Sequence, residues 1–238
     1  MKRLLASIRL DVRLQFRNGF YYAAAFVAVL SVLLLSQLPD ASLAWLLPLF
    51  VMNNLIINNF YFVAGLVLLE KGEGTLEAQV VTPLRTDEYL ASKAMTLALL
   101  SLLETLLIAG LTAGLNFNVL FLSAGVTVMA IFFMLTGFIV VARYDSINEY
   151  LLPSVLYTAL LALPLLPYVG VAESRLFYLH PLQPMLLLLQ TAFRPAATWQ
   201  LTYGVVYSSL WLVLIYHFSR RTFHRFVITK EGAHRGYL

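Results

Sequence analysis

The chain contains no cysteine, which excludes disulfides, thiolate metal sites and cysteine nucleophiles. In a protein stabilised by lipid that absence says little about compartment. Charge is scarce as well: 12% of the 238 residues are Asp, Glu, Lys or Arg, about half the fraction usual in a soluble domain. With 61% hydrophobic residues and a mean hydropathy of +0.81, too few charges remain to cover a water-soluble surface. The sequence is that of an integral membrane protein, and its apolar runs leave no room for a separate globular enzyme domain.

Catalytic patterns are missing too. The histidines (His180, His217, His224, His234) show no paired spacing of the H-E-x-x-H kind, and no G-x-S-x-G elbow occurs. Gly72-Glu73-Gly74 opens a dinucleotide fingerprint but lacks the third glycine, and an apolar helix precedes it rather than a strand. Without a G-x-x-x-x-G-K-[ST] run, the chain is expected not to hydrolyse ATP itself, so it is not expected to be an enzyme or to hold a cofactor or metal of its own.

What is present is a series of apolar stretches. The window 1–18 sets Leu4, Leu5, Ile8, Val12 and Phe16 at helical spacing, with Arg9, Arg13 and Arg17 on a neighbouring stripe, and predicts an amphipathic interfacial helix. Six runs follow at 20–38, 45–69, 95–115, 119–142, 150–171 and 201–218, each near the roughly 20 residues that cross a bilayer. The segment 176–193 is apolar, but His180, Pro181, Gln183 and Pro184 break its first half, so an external, partly re-entrant cap is expected over 172–198. Six spans put fourteen of the sixteen Lys and Arg on one side, leaving only Arg175 and Arg194 on the other. The basic side, with both termini and the tail 219–238, is therefore expected to face the cytoplasm. The formal charge of +4 is thus spent on membrane flanks rather than on nucleic acid.

Two features invite a functional reading. The loop 70–88 can form a short helix from Gly74 to Val80, with Leu76 and Val80 four apart on one side, ended by Thr82-Pro83. Its apolar side needs a partner groove. Thr86 is expected to cap the next span, with Asp87 and Glu88 in its first turn. Within the membrane, Glu104 sits near the middle of the third span, where a charged group must be protonated, paired or facing water. Asn53, Asn54, Asn58 and Asn59 surround the centre of the second span. At 100° per residue they cannot share one narrow face, so some must bind other helices. Pro153, Pro164 and Pro167 are expected to kink the fifth span, and Ser146 with Glu149 reads as a capping box.

The run Glu70-Lys71-x-x-Gly74-Thr75-Leu76-Glu77, followed by Thr82-Pro83-Leu84 and Glu88-Tyr89-x-x-x-Lys93, resembles the first cytoplasmic loop of ABC-2 type transporter permeases. The layout is similar over nearly the full length: an elbow helix, six spans, a coupling helix after the second span and short external helices before the sixth. Leu14-Gln15-Phe16-Arg17, the stretch 144–154 and the stretch 178–184 most resemble the bacterial permeases labelled fluoroquinolone exporters. The resemblance implies a single all-α transmembrane domain in the bacterial plasma membrane, paired with an identical or related permease chain. It also implies two copies of a cytoplasmic ATPase carrying ATP and Mg. Contact with that ATPase would fall to Glu70, Lys71, Gly74, Thr75, Leu76, Glu77 and Val80. From the residues themselves, the path of an amphipathic drug-like or lipid-like substrate is expected at Asn54, Asn58 and Glu104, with Glu104 read either as a site for a cationic substrate or a proton or as an interhelical hydrogen bond. Two other readings stay open: a lipid-modifying enzyme using Glu104 or His180, and a non-catalytic membrane scaffold.

Overall fold

Every regular element in the computed structural model is helical among the residues it describes, which are 2–76, 85–114 and 116–228. Helix α1 (Lys2–Arg17) turns through 64° at Gly19, a glycine at φ 81°, into α2 (Phe20–Leu35). Helix α3 (Asp40–Leu55) runs through a π turn (Ile56–Tyr61) into α4 (Phe62–Gly72). Then come α5 (Thr86–Ala113), α6 (Val119–Val141), α7 (Ile147–Leu161) and the single turn α8 (Leu165–Tyr168). A 3-10 turn (Arg175–Leu179), α9 (Leu182–Gln190), α10 (Thr198–Phe223) and a closing π turn (His224–Ile228) complete the described chain.

Among the described residues, four helical stretches are long and apolar enough to cross a membrane: Ser42–Gly72, Thr86–Ala113, Val119–Val141 and Thr198–Phe226. The bent pair α1 and α2 makes a fifth candidate. The expected fifth span, 150–171, is not one helix. Pro164 has no N–H for the carbonyl of Leu160, and Pro167 has none for that of Leu163, so α7 stops at Leu161 and the chain turns. Fifteen residues of α7 reach only about 22 Å.

The core gathers around α6, whose side chains from Leu122 to Val141 are largely buried. Backbones meet there directly. A Cβ on Gly137 would lie 2.7 Å from the carbonyl oxygen of Phe60, so only glycine lets α6 rest on the π turn. Gly125 admits the backbone of α9 at Leu189 in the same way, and α9 is wedged against α6 and α10 with Leu182 to Leu189 buried.

Local chemistry fixes the helix starts. Asn118 Oδ1 accepts from the backbone N–H groups of Leu120 and Phe121 to start α6. Ser146 Oγ accepts from Glu149 N at the start of α7. The cap of α5 lies one residue earlier than expected: Arg85 is the N-cap, its backbone N–H donates to the Glu88 carboxylate, and Thr86 is already helical.

One end of the bundle is basic. There Arg17 pairs with Glu73 across α1 and α4, and Asp87 at the start of α5 pairs with Arg220 and accepts from Tyr216 of α10. The start of α5 and the end of α10 therefore lie at the same end of the bundle. At the opposite end Trp45 stacks on Tyr168, whose hydroxyl donates to the Trp45 carbonyl, and Asn118 N donates to the Ala192 carbonyl.

Candidate functional site

The loop expected to contact an ATPase is described only at its root and its far edge; Glu77 and Val80 lie outside the described residues. At the root, Gly74 adopts φ 66°, the left-handed conformation that ends a helix, while the Thr75 hydroxyl donates to the Glu70 carbonyl. Lys71 reaches across to the next turn at this end. Its Nζ donates to the carbonyls of Ala142 (2.9 Å) and Tyr144 (2.6 Å), and lies 3.3 Å from Asp145 Oδ1. These carbonyls follow the end of α6, where a cation is favoured by the helix dipole. The loop root and the α6–α7 turn are one mechanical unit.

Leu76 differs from expectation. It was expected to offer an apolar side to a partner; instead it is 1% exposed and belongs to the chain's own core cluster. Glu70 also points inward, at 1% exposure, and its carboxylate accepts from Tyr89 Oη (2.7 Å) and Lys93 Nζ (2.7 Å).

Lys93 is the centre of a buried cluster that sequence reasoning missed. Its ammonium, fully buried, lies 2.7 Å from Glu70 of α4 and 3.0 Å from Asp11 of α1, and 4.6 Å from the centre of the Tyr89 ring. Ser92 donates a hydroxyl hydrogen bond to Asp11, and Gln15 donates to Thr96 Oγ1 at 2.9 Å. Helix α1 thus turns a polar stripe, Ser7, Asp11 and Gln15, into the protein, while Leu5, Val12 and Phe16 of the apolar stripe face outward. The four-residue spacing of those polar side chains was the readable signal: a polar face on a membrane-associated helix is where its protein partner lies.

The mid-membrane residues meet as well. Asn58 Nδ2 donates to Glu104 Oε2, and Asn59 Nδ2 donates to Ser101 Oγ (2.8 Å) and to the Leu55 carbonyl (3.0 Å). Asn54 Nδ2 donates to Ser31 Oγ of α2 at 3.4 Å, while Asn53 is exposed. Three of the four asparagines therefore join helices or brace their own, as the angular arithmetic requires. The π turn brings the consecutive Asn58 and Asn59 both against α5, with each wholly buried. Glu104 Oε1, Asn58 Oδ1 and Asn59 Oδ1 have no hydrogen-bond partner in the structure.

Glu104 and His180 do not converge. His180 Nε2 donates to the Leu160 carbonyl, which also accepts from Leu163 N, and its Nδ1 accepts from Leu182 N. These bonds require the neutral ring, and burial pushes the His180 pKa below the ordinary histidine value. Among the described residues no group of three or more His, Cys, Asp or Glu is placed to hold a metal ion.

Comparison with known proteins agrees with this architecture. The profile described as the fluoroquinolones export permease protein family matches residues 2–231. Fluoroquinolones export permease proteins from two Mycobacterium tuberculosis strains, CDC 1551 / Oshkosh and ATCC 25618 / H37Rv, are each 34% identical over 235 residues. Those alignments cover 98% of this chain and 99% of each relative.

Proposed function

Because this chain belongs to the fluoroquinolones export permease protein family, we propose that it is the membrane subunit of an ABC-2 type exporter. It carries an amphipathic drug-like or lipid-like substrate out of the cytoplasm, and fluoroquinolones are the first substrates to test. Two copies of a separate ATPase supply the energy, with ATP and Mg bound there, and two permease chains form the path between them. The chain crosses the bacterial plasma membrane six times with both termini inside. In this reading α1 is the interfacial elbow and the broken α7–α8 segment is the fifth crossing.

The observation that carries the reading is the wiring of the loop root. Lys71 fixes it to the α6–α7 turn, Glu70 fixes it through Lys93 to α1 and α5, and Arg17 pairs with Glu73. A push on 77–84 by a closing ATPase would thus be delivered to four helices together rather than dissipated in a loop. Glu70, Lys71, Gly74, Thr75 and Leu76 act from inside as the seat of the coupling element, and Glu77 and Val80 fall to the ATPase contact itself. The substrate path runs by Asn54, Asn58 and Glu104.

The test begins with gentle solubilisation of a tagged chain from its native membrane, mass spectrometry of what accompanies it, and assay of vanadate-sensitive ATP hydrolysis. A stoichiometric ATPase with Walker motifs is expected; its reproducible absence would overturn the assignment. Lys71→Ala should keep the partner bound yet lose most substrate stimulation of ATP hydrolysis. Leu76→Asp cannot discriminate, since it would place a charge in the core.

A further inference from the structure

We propose that the buried oxygens of Glu104, Asn58 and Asn59 form a recognition point for a protonated amine on the transported molecule. The inference rests on reading these residues as part of the substrate path, and it names the chemistry that path selects.

Donor and acceptor counts lead there. Asn58 spends its amide N–H on Glu104, and Asn59 spends its own on Ser101 and Leu55, which leaves Glu104 Oε1, Asn58 Oδ1 and Asn59 Oδ1 as three acceptors facing no donor. Buried acceptors left bare cost about 1–3 kcal/mol each, more for a charged one, so such a group persists where something else completes it. The residues are 0% (Asn58, Asn59) and 7% (Glu104) exposed, on facing helices. Ser101 lies one turn from Glu104 on α5, so the bond from Asn59 to Ser101 holds that amide beside the carboxylate.

The chemistry of the set selects the ligand. All three free atoms are oxygens and one belongs to a carboxyl, so an anion or a further acceptor is refused. Hard divalent cations want about six to eight oxygens, twice what is offered here. An ammonium group brings three N–H donors in a compact head, the same number as the bare acceptors. The protein already solves this problem once: on α5, eleven residues before Glu104, Lys93 supplies its own ammonium to Asp11 and Glu70 in full burial. At Glu104 the carboxyl is present and the ammonium is not part of the chain.

Access is from the lipid side. Next to Glu104, Leu103 and Leu107 belong to an outward stripe with Met95, Leu99 and Leu111, each at least half exposed. An amphipathic amine dissolved in the bilayer reaches the seam between the π turn and α5 with its head leading and its apolar body still in lipid.

The purified chain in lipid nanodiscs is titrated with 4-phenylbutylammonium and with 4-phenylbutanol, which differs only in the charged donor head, following tryptophan fluorescence. After correction for partitioning into empty nanodiscs, the wild-type chain should prefer the ammonium at least tenfold. Glu104→Gln should abolish the preference, and Asn59→Ala should lower it two- to fivefold. A wild-type chain without preference overturns the proposal, as does an undiminished preference in either variant; Asn59→Ala alone decides if Glu104→Gln does not fold. Competition by NaCl or KCl at matched ionic strength with choline chloride would assign the oxygens to an alkali ion and also overturn it. Because no ATPase is present, absence of the partner in the native membrane would defeat the exporter reading while leaving this measurement intact.

Discussion

Helix α5 carries two buried charged groups, Lys93 and Glu104, and the contrast between them separates what holds this protein together from what it can act with. Eleven residues are three helical turns with only about 20° left over, so the two lie on one face, roughly 16 Å apart. Around Lys93 the ammonium meets two carboxylates, and those carboxylates also accept from Tyr89 and Ser92, so α1, α4 and α5 are joined at the basic end. Around Glu104 the carboxyl has one amide donor and leaves an oxygen bare, beside two bare amide oxygens. A complete cluster resists change in either direction; an incomplete one responds to whatever completes it.

The contrast is broken most severely at Lys93. Lys93→Met leaves Asp11 and Glu70 as unpaired buried carboxylates and should destabilise the chain by about 3–5 kcal/mol, seen as a large drop in thermal midpoint in detergent. Adding Asp11→Asn and Glu70→Gln should recover most of that loss, because neutral partners no longer carry uncompensated charge. Lys71→Ala removes charge-assisted bonds to two carbonyls and should cost about 1.5–3 kcal/mol, with hydrogen exchange rising in the α6–α7 turn.

Glu104→Gln sharpens the comparison by sign. The glutamine retains an oxygen to accept from Asn58 and gains an N–H for a bare amide oxygen, so stability should stay level or rise by about 1 kcal/mol in the same melt. A loss as large as that of Lys93→Met would mean the two sites are alike. The smallest effect is expected at Arg17 and Glu73, both largely exposed: a double-mutant cycle there should give about 0–1 kcal/mol, and less in high salt.

Single helices were legible from the sequence where an apolar run stood between clear signals. For α6 the expected 119–142 and the observed Val119–Val141 nearly coincide, since Asn118 starts the helix and Arg143 follows its end. For α5 the cap expected at Thr86 fell within one residue of the observed Arg85, although the apolar run begins only at 95. Hydropathy cannot see that Ser92 and Lys93 belong to a buried helix, because what makes them buriable is Asp11, some eighty residues away. The charge bias and the scattered asparagines were readable by counting and by angle. Their partners were not, since the π turn that presents Asn58 and Asn59 together has no reliable sequence mark. The loop motif is legible as a run of residues, yet its inward role is not: Glu70 looks like any charged flank until Tyr89 and Lys93 are folded against it.

The π turn between α3 and α4 also gives this span slack that the other helices lack. In an ordinary helix, losing one residue rotates everything beyond it by about 100° and shortens the span by about 1.5 Å, which would swing Glu70 away from Lys93 and Lys71 from its carbonyls. Ile56–Tyr61 already carries a residue more than regular winding needs, so one could be lost there with both flanks still in phase. The span is built like a vernier: its centre can be reset by one notch, changing which side chains face α5, without disturbing the gearing at its basic end.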